Sequence, residues 1–142
     1  MVHIVGAGPG DPELITVKGQ RYLQAADVII YAGSLVNPAL LKICKTDAAI
    51  YNSATMTLAE VVAVIEKAEQ EGKMTVRLHT GDPSVYGAIQ EQMDAFTKKG
   101  IAYDVVPGVS SCFAAAAALK QEYTLPGISQ TVICDIPGNV YS

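Results

Sequence analysis

The sequence lacks several features that would assign it to a common class of protein. It contains no tryptophan, only three cysteines, and no apolar run as long as a membrane span. Charged residues make up 17% of the chain and the net charge is −4, which argues against a general nucleic-acid binder. No basic segment and cleavage site precede the first apolar run, so we expect no signal peptide. We therefore expect a cytoplasmic protein with no membrane or nucleic-acid partner.

The three cysteines indicate neither a disulfide framework nor a metal site. Cys44, Cys112 and Cys134 are odd in number and no two have a CxxC spacing. We expect reduced thiols in the core and no bound metal. Half of the 142 residues are hydrophobic, which suggests that another domain or subunit covers part of the surface.

Short apolar runs alternate with helical patterns, which predicts an α/β fold with a mostly parallel sheet and helices on both faces. A capping box at Thr57 and Glu60 starts the clearest helix, which Gly72 ends. The alanine run at residues 114–118 is expected to let its helix lie close to the sheet. Strands are predicted at residues 2–5, 27–31, 48–51, 74–78, 101–106 and 130–134, and the other helices at 16–25, 38–44, 87–98 and 110–119.

Three of the predicted strands end in corners rich in glycine and proline. The corners lie at residues 6–12, 80–87 and 107–111, and Gly-Asp-Pro occurs in the first two. In open α/β sheets, ligands bind at the carboxyl ends of the strands. Glycine allows the main chain to approach a ligand closely, so we predict a ligand held largely by backbone groups. A valine at Gly81 is then expected to impair binding more than stability.

Polar residues in the corners have a structural and a functional interpretation. Asp82 could cap the following helix, or it could bind a ligand that carries positive charge or hydroxyl groups. Ser110 and Ser111 could cap the alanine-rich helix or face Asp82 across a cleft. The recurrence of such corners favours the functional interpretation.

Other motifs are weak or absent. The glycines at residues 6, 8 and 10 resemble a dinucleotide fingerprint, but Asp11 and Pro12 stand where a helix should receive the pyrophosphate, and no ribose-binding carboxylate follows the second strand. His3 and His79 lie in strand patterns and are expected to be structural. No nucleophile and base pair is visible, so no catalytic residue is assigned. A transferase that positions two substrates would not need one.

The chain resembles the class III, or tetrapyrrole, methylases from residue 1 to about residue 134. The family's first and second signatures are similar to VGAGPGDP at residues 5–12 and LHTGDPSVYG at residues 78–87. Further segments are most similar to the branch that methylates carbon 11 of precorrin-4 or cobalt-precorrin-4. They are YAGSLVNP at 31–38, VPGVSS at 106–111, LP at 125–126 and SQTVI at 129–133.

The resemblance implies S-adenosylmethionine as the methyl donor, a corrin precursor as the acceptor, and a homodimer. The implied donor contacts are Pro9, Thr80, Gly81, Asp82, Val85, Tyr86, Ser110 and Ser111. Related uroporphyrinogen methylases have an aspartate where Ala32 stands, so no base is available there. The acceptor carries many carboxylates, and the basic residues that could line its site are the scattered Arg21, Lys42 and Lys45.

The resemblance also implies an arrangement of two α/β domains with the site in the cleft between them. We expect residues 1–134 to form the donor-binding domain and residues 135–142 to depart from the family pattern, with the second domain absent and the chain inactive alone. Two alternatives stay open. One is a methylase of the same fold that acts on another tetrapyrrole, an RNA or a protein, and the other is a non-catalytic module for ligand binding or dimerisation.

Overall fold

The computed structural model describes residues 1–135. Its sheet has five strands in the order β3-β2-β4-β1-β5, and every pair of neighbours is parallel. The predicted α/β class is therefore confirmed. The strands are β1 (Val2–Gly6), β2 (Val28–Tyr31), β3 (Ala49–Asn52), β4 (Thr75–His79) and β5 (Tyr103–Val106).

Two helices begin at the caps that the sequence predicts. Asn37 accepts a hydrogen bond from the Ala39 amide, and Thr57 and Glu60 form the predicted capping box. Both bonds satisfy amides that would otherwise lack a partner in the first turn. The α-helices are α1 (Val17–Ala25), α2 (Leu58–Gln70), α3 (Gln90–Lys99) and α4 (Ser111–Leu119), and 3₁₀ helices occupy Pro12–Leu14, Gly33–Leu35, Pro38–Ile43 and Ser53–Thr55.

Two hydrophobic clusters cover the two faces of the sheet. Ile4 and Ile30 pack with Ile65 of α2 and Phe96 of α3 on one face. Alternate strand residues point the other way, and they form the second cluster with Leu23 of α1. Both faces are therefore covered, as expected for a parallel sheet. This packing fixes the carboxyl ends of the central strands side by side.

The helix predicted at residues 87–98 begins later than expected. Tyr86 and Ala88 have φ values of 55° and 50°, in the left-handed region that a right-handed helix cannot include. A Cβ on Gly87 would overlap the Pro83 carbonyl. The chain therefore makes a tight reversal through residues 83–88 before α3 starts at Gln90.

The segment that begins at Cys112 forms a compact unit separate from Met1–Ser111. The strand predicted at residues 130–134 is wrong, because these residues are exposed and pair with no strand in the described part of the chain. Strand propensity acts only with a neighbouring strand. No residue of α4 is buried in the described chain, and the expectation that its alanine run lies close to the sheet stays a prediction.

Two further expectations concern the cysteines and the carboxyl terminus. Within residues 1–135 the three cysteines are thiols and not disulfides, but Cys134 is exposed, so the expectation of three core thiols is wrong for this residue. The tail predicted at residues 135–142 lies outside the described residues, except for Asp135. Among residues 1–135, no helix has both the length and the apolar character needed to cross a bilayer.

Candidate functional site

The three glycine-rich corners follow adjacent strands and meet at the carboxyl edge of the sheet. The first corner (residues 6–12) follows β1, the second (80–87) follows β4, and the third (107–111) follows β5. Backbone bonds join the first two, since the Gly81 amide donates to the Gly8 carbonyl over 2.8 Å and the Gly8 amide donates to the Gly81 carbonyl over 3.2 Å. The predicted convergence of the corners is confirmed.

Two glycines in these corners are required by contacts between the corners themselves. A Cβ on Gly6 would lie 2.6 Å from the Gly81 carbonyl oxygen and 2.7 Å from the Gly108 Cα. A Cβ on Gly108 would lie 2.9 Å from the Gly6 Cα and would overlap the Gly81 carbonyl. The backbone atoms cannot give way as a flexible side chain can. Close approach of main chains therefore explains these glycines without any ligand.

Gly81 is needed for a different reason. Its φ is +62°, and the position of a Cβ there would be 3.6 Å from the Ser110 Cα, an ordinary contact. A β-branched residue in this left-handed conformation is strained. Gly81→Val is therefore expected to cost stability as well as binding, and which of the two falls further stays a prediction. A Cβ at this position would also lie 3.9 Å from the Ser111 amide nitrogen.

Asp82 joins the second corner to the third. Its Oδ2 accepts a hydrogen bond from the Gly108 amide over 2.9 Å. Its Oδ1 accepts from the Ser84 amide over 2.8 Å and from the Ser84 hydroxyl over 2.5 Å. Asp82 therefore does not cap α3, whose N-cap is Ile89 and has no side-chain hydrogen bond. It holds the second corner in a turn and fixes the third corner against it.

The electrostatics of Asp82 agree with this role. Burial raises the pKa of the carboxyl group, but the hydrogen bonds from Ser84 and Gly108 lower it by more, so the net pKa lies below the ordinary value. Asp82 is therefore ionised at neutral pH. Each bond that it accepts is charge-assisted, and such bonds are stronger than those between neutral groups.

The exposure of the predicted site residues varies along the edge. Ser110 is only 8% exposed, whereas Val85 is 40% and Tyr86 is 61% exposed. Ser111 is exposed as well, and Pro9, Thr80 and Asp82 are half-buried. The corners thus combine backbone segments that are hydrogen-bonded to one another with side chains that are accessible to a ligand. A ligand on this edge would find amide and carbonyl groups, hydroxyls, one carboxylate and an aromatic ring.

Both histidines, which lie in strands as expected, are buried. The His3 Nδ1 lies 2.6 Å from an Asp104 Oδ1, and its ring stacks on Tyr22 at 3.8 Å. Burial, and secondarily the charge of Arg77, lower the pKa of His79 to about 4. The Nε2 of His79 has no hydrogen-bond partner within residues 1–135. His79 ends β4 and stays neutral at physiological pH.

One buried basic residue, Arg77, was not among those expected to line the acceptor site. Arg21, Lys42 and Lys45 were expected there, but Lys45 pairs with Asp27 over 2.5 Å and the Arg21 guanidinium lies 5.5 Å from the centre of the Tyr22 ring. Arg77, in the middle of β4, is buried and lines a cavity. The signal in the sequence was a lone arginine inside an otherwise strand-like run, TVRLH at residues 75–79. No cluster of metal ligands occurs in the described residues.

Comparison with known proteins identifies the family. A family model described as Tetrapyrrole (Corrin/Porphyrin) Methylases matches residues 1–140. The chain therefore belongs to the tetrapyrrole methylase family. It is 62% identical over 136 residues to the cobalt-precorrin-4 C(11)-methyltransferase of Methanocaldococcus jannaschii, covering 96% of this chain and 52% of that protein. It is 47% identical to the precorrin-4 C(11)-methyltransferase of Mycobacterium tuberculosis, with 92% and 52% covered.

Solved structures agree with this assignment. A cobalt precorrin-4 methyltransferase superimposes with a TM-score of 0.91 at 52% identity, covering 93% of this chain and 55% of that one. The uroporphyrin-III C-methyltransferase of Thermus thermophilus, complexed with S-adenosylhomocysteine, gives a TM-score of 0.75 at 32% identity over 92% of this chain and 52% of that one. The chain spans about half the length of the curated relatives that it matches.

Proposed function

We propose that the three corners bind S-adenosylmethionine, and that the chain provides the donor-binding part of a methyltransferase acting on carbon 11 of precorrin-4 or cobalt-precorrin-4. The observation that carries this proposal is the fixed backbone edge built by the Gly8–Gly81 pair and the Asp82–Gly108 bond. The names of the relatives with 47–62% identity support the reaction. The complex of one solved relative with S-adenosylhomocysteine supports the donor.

In the proposed site, backbone groups contact some parts of the donor and side chains contact others. Backbone groups near Pro9 and Thr80 face the polar parts of the donor, and Gly81, whose amide and carbonyl bond to Gly8, allows the main chain to approach it closely. The exposed Val85 and Tyr86 offer apolar surface to an adenine ring, and Ser110 and Ser111 offer hydroxyl groups. Because both Asp82 oxygens already accept bonds from protein donors, Asp82 acts chiefly by holding the corners that contact the donor.

The chemistry that this site supports is transfer by alignment. An electron-rich ring carbon forms a bond to the methyl group while the bond from that group to the sulfonium sulfur breaks, leaving a neutral thioether. Positioning and exclusion of water accelerate such a step without a protein nucleophile. In this chain the edge is open, since Tyr86 is mostly exposed. We therefore expect the chain alone to bind the donor weakly and to transfer no methyl group.

The proposal includes the setting of the enzyme. The family resemblance favours a cytoplasmic homodimer with a corrin-type acceptor. The exposed apolar residues on α4 and after it, Phe113, Leu119, Ile128 and Ile133, are consistent with self-association of this chain. Analytical ultracentrifugation should find dimers or larger species at micromolar concentration, and a strictly monomeric chain would contradict this part.

Calorimetric titration of the chain tests the donor site. S-adenosylhomocysteine should bind with a dissociation constant in the range of about 0.1–1 mM, near −5 kcal/mol, and NAD⁺ should give no saturable heat. Binding of NAD⁺ in preference to the thioether would contradict the assignment. Incubation with radiolabelled donor and precorrin-4 should give no labelled corrinoid. Turnover would show that the open edge suffices for catalysis.

A further inference from the structure

A cavity lies on the α2 and α3 face of the sheet, apart from the donor corners. Its volume is about 160 Å³, and its lining includes Arg77, Ser53, Ala88, Glu91 and Gln92. Ser53 follows β3 and Ala88 directly follows the second corner, so the cavity is at the same end of the sheet as the proposed donor site. A single water needs about 10–15 Å³ of such volume, so the cavity can hold a group of several heavy atoms.

Arg77 brings a positive charge to this cavity. It is only 6% exposed, and burial lowers its pKa to about 10. Arg77 is therefore still charged at neutral pH. Buried charges are costly unless they are paired with an opposite charge or fully hydrogen-bonded.

The protein satisfies only part of this guanidinium group. Nε donates to the Gln92 Oε1 over 2.9 Å, and Nη1 donates to the Ile30 carbonyl over 3.2 Å. Both acceptors are neutral, and no carboxylate forms an ion pair with Arg77 within residues 1–135. An arginine has five N–H donors in a planar fork that matches a carboxylate. The bonds from Nε and Nη1 therefore fix the orientation of the guanidinium group. Its positive charge lies in the cavity without a counter-ion from the described chain.

We propose that this cavity binds a carboxylate-bearing arm of the tetrapyrrole acceptor, with Arg77 as the anchoring cation. The assignment of the acceptor depends on the proposed function, but the affinity of the cavity for a carboxylate does not. The cavity volume suits an acetate or propionate group. Gln92 fixes the guanidinium from α3, and it is also buried and bonded to the Ala88 carbonyl over 3.3 Å.

Glu91 opposes an anion in the same cavity. It is exposed and lines the cavity, so its charge is screened by solvent but still repels a carboxylate. Removing this charge should strengthen binding, whereas removing Arg77 should weaken it. The opposite signs of the two effects separate a site centred on Arg77 from general attraction to the protein surface.

The direct test follows the Arg77 Nε–H resonance by NMR in the ¹⁵N-labelled chain. The bond to Gln92 slows exchange of this proton and makes the resonance observable. Sodium propionate should shift it saturably, while neutral propionamide and sodium chloride at the same ionic strength should not. No response to propionate would overturn the proposal, and an equal response to chloride would mean an adventitious ion only and would also overturn it.

The second test measures binding of uroporphyrin III, a stable tetrapyrrole with carboxylate arms, by fluorescence. Arg77→Met should weaken binding about tenfold or more, since a charge-assisted pair is lost, and Glu91→Gln should strengthen it severalfold. Lys98→Met, at an exposed cation outside the cavity lining, serves as the matched control and should change little. A folded Arg77→Met chain with unchanged affinity would overturn the proposal. If that variant does not fold, Glu91→Gln and the propionate titration decide.

The two proposals fail in distinguishable ways. If the donor binds at the corners but neither propionate nor uroporphyrin III perturbs Arg77, the cavity proposal is wrong and the donor site stands. If Arg77 responds to propionate but the donor does not bind, the carboxylate site stands and its assignment to a methyl acceptor is lost.

Discussion

Replacement of Asp82 by alanine removes the link between the second and third corners. Three hydrogen bonds are lost, two from Ser84 and one from the Gly108 amide. Ser84 is exposed, so its donors can turn to water at little cost. The half-buried Gly108 amide cannot, and an unsatisfied donor of this kind costs about 1–3 kcal/mol. We expect a total loss of about 2 kcal/mol, or roughly 8 °C in Tm for a chain of this length.

Thermal unfolding followed by circular dichroism measures this loss. Ser84→Ala is the matched control, because it removes the hydroxyl bond and keeps the bond between the corners, and it should cost under about 1 kcal/mol. S-adenosylhomocysteine affinity should fall in Asp82→Ala and persist in Ser84→Ala. A folded Asp82→Ala chain that keeps both its Tm and its donor affinity would refute the role assigned to Asp82.

The pH dependence gives a second criterion for the same residue. The pKa of Asp82 is lower in the folded chain than in the unfolded one, so its stabilising contribution is present above the unfolded pKa, about 3.9. The contribution is lost as the pH falls through the folded value. The difference in Tm between the natural chain and Asp82→Ala should therefore stay constant from pH 7 to 5 and narrow as the pH falls below about 4. A constant gap at pH 3 would contradict this.

Three further predictions concern the fold around the site. Gly6→Ala should destabilise the chain by about 3 kcal/mol or more, because its Cβ would meet backbone on two sides. Gly100→Ala, with open space around it, should cost about 1–2 kcal/mol for its left-handed φ. Equal losses of stability for the two variants in chemical denaturation would contradict the crowding at Gly6. The pKa of His79 is lowered to about 4 in the folded chain, so between pH 6.5 and 4 the unfolded chain is protonated at this residue while the folded chain is not. The free energy of unfolding should therefore fall by up to about 3 kcal/mol as the pH drops from 6.5 to 4. The stability of His79→Asn should not fall in this way between pH 6.5 and 4. An NMR titration midpoint near 6.5 for His79 in the natural chain would contradict the lowered pKa. Thr57→Ala should cost about 1 kcal/mol through loss of its cap and leave donor binding unchanged.

The fold could be predicted because its signals are local and periodic. The α2 face at Val61, Val62 and Ile65 follows helical spacing, and Thr57 and Glu60 form the cap that their spacing predicts. The carboxyl edge followed from the glycine corners, since parallel strands end at the same side of a sheet. The late start of α3 was not predictable, because the positive φ of Tyr86 and Ala88 is unusual for these residue types.

The site was predicted in position but not in its internal connections. The sequence indicated Asp82 and the glycines, but only the folded chain shows that Asp82 reaches Gly108, 26 residues away. Arg77 was missed because a charged residue in a strand can face solvent as easily as a cavity. A strand was predicted at residues 130–134, and these residues form none, because no strand of the described chain pairs with them.

The central claim is that the three corners together form the donor site. Amide chemical shifts of the ¹⁵N-labelled chain, recorded during titration with S-adenosylhomocysteine to millimolar concentration, test it most directly. We expect saturable shifts at the non-proline residues of 8–10, 81–86 and 108–111 with one common dissociation constant, and none along α2. No saturable shift, or shifts confined to residues outside the three corners, would contradict the claim.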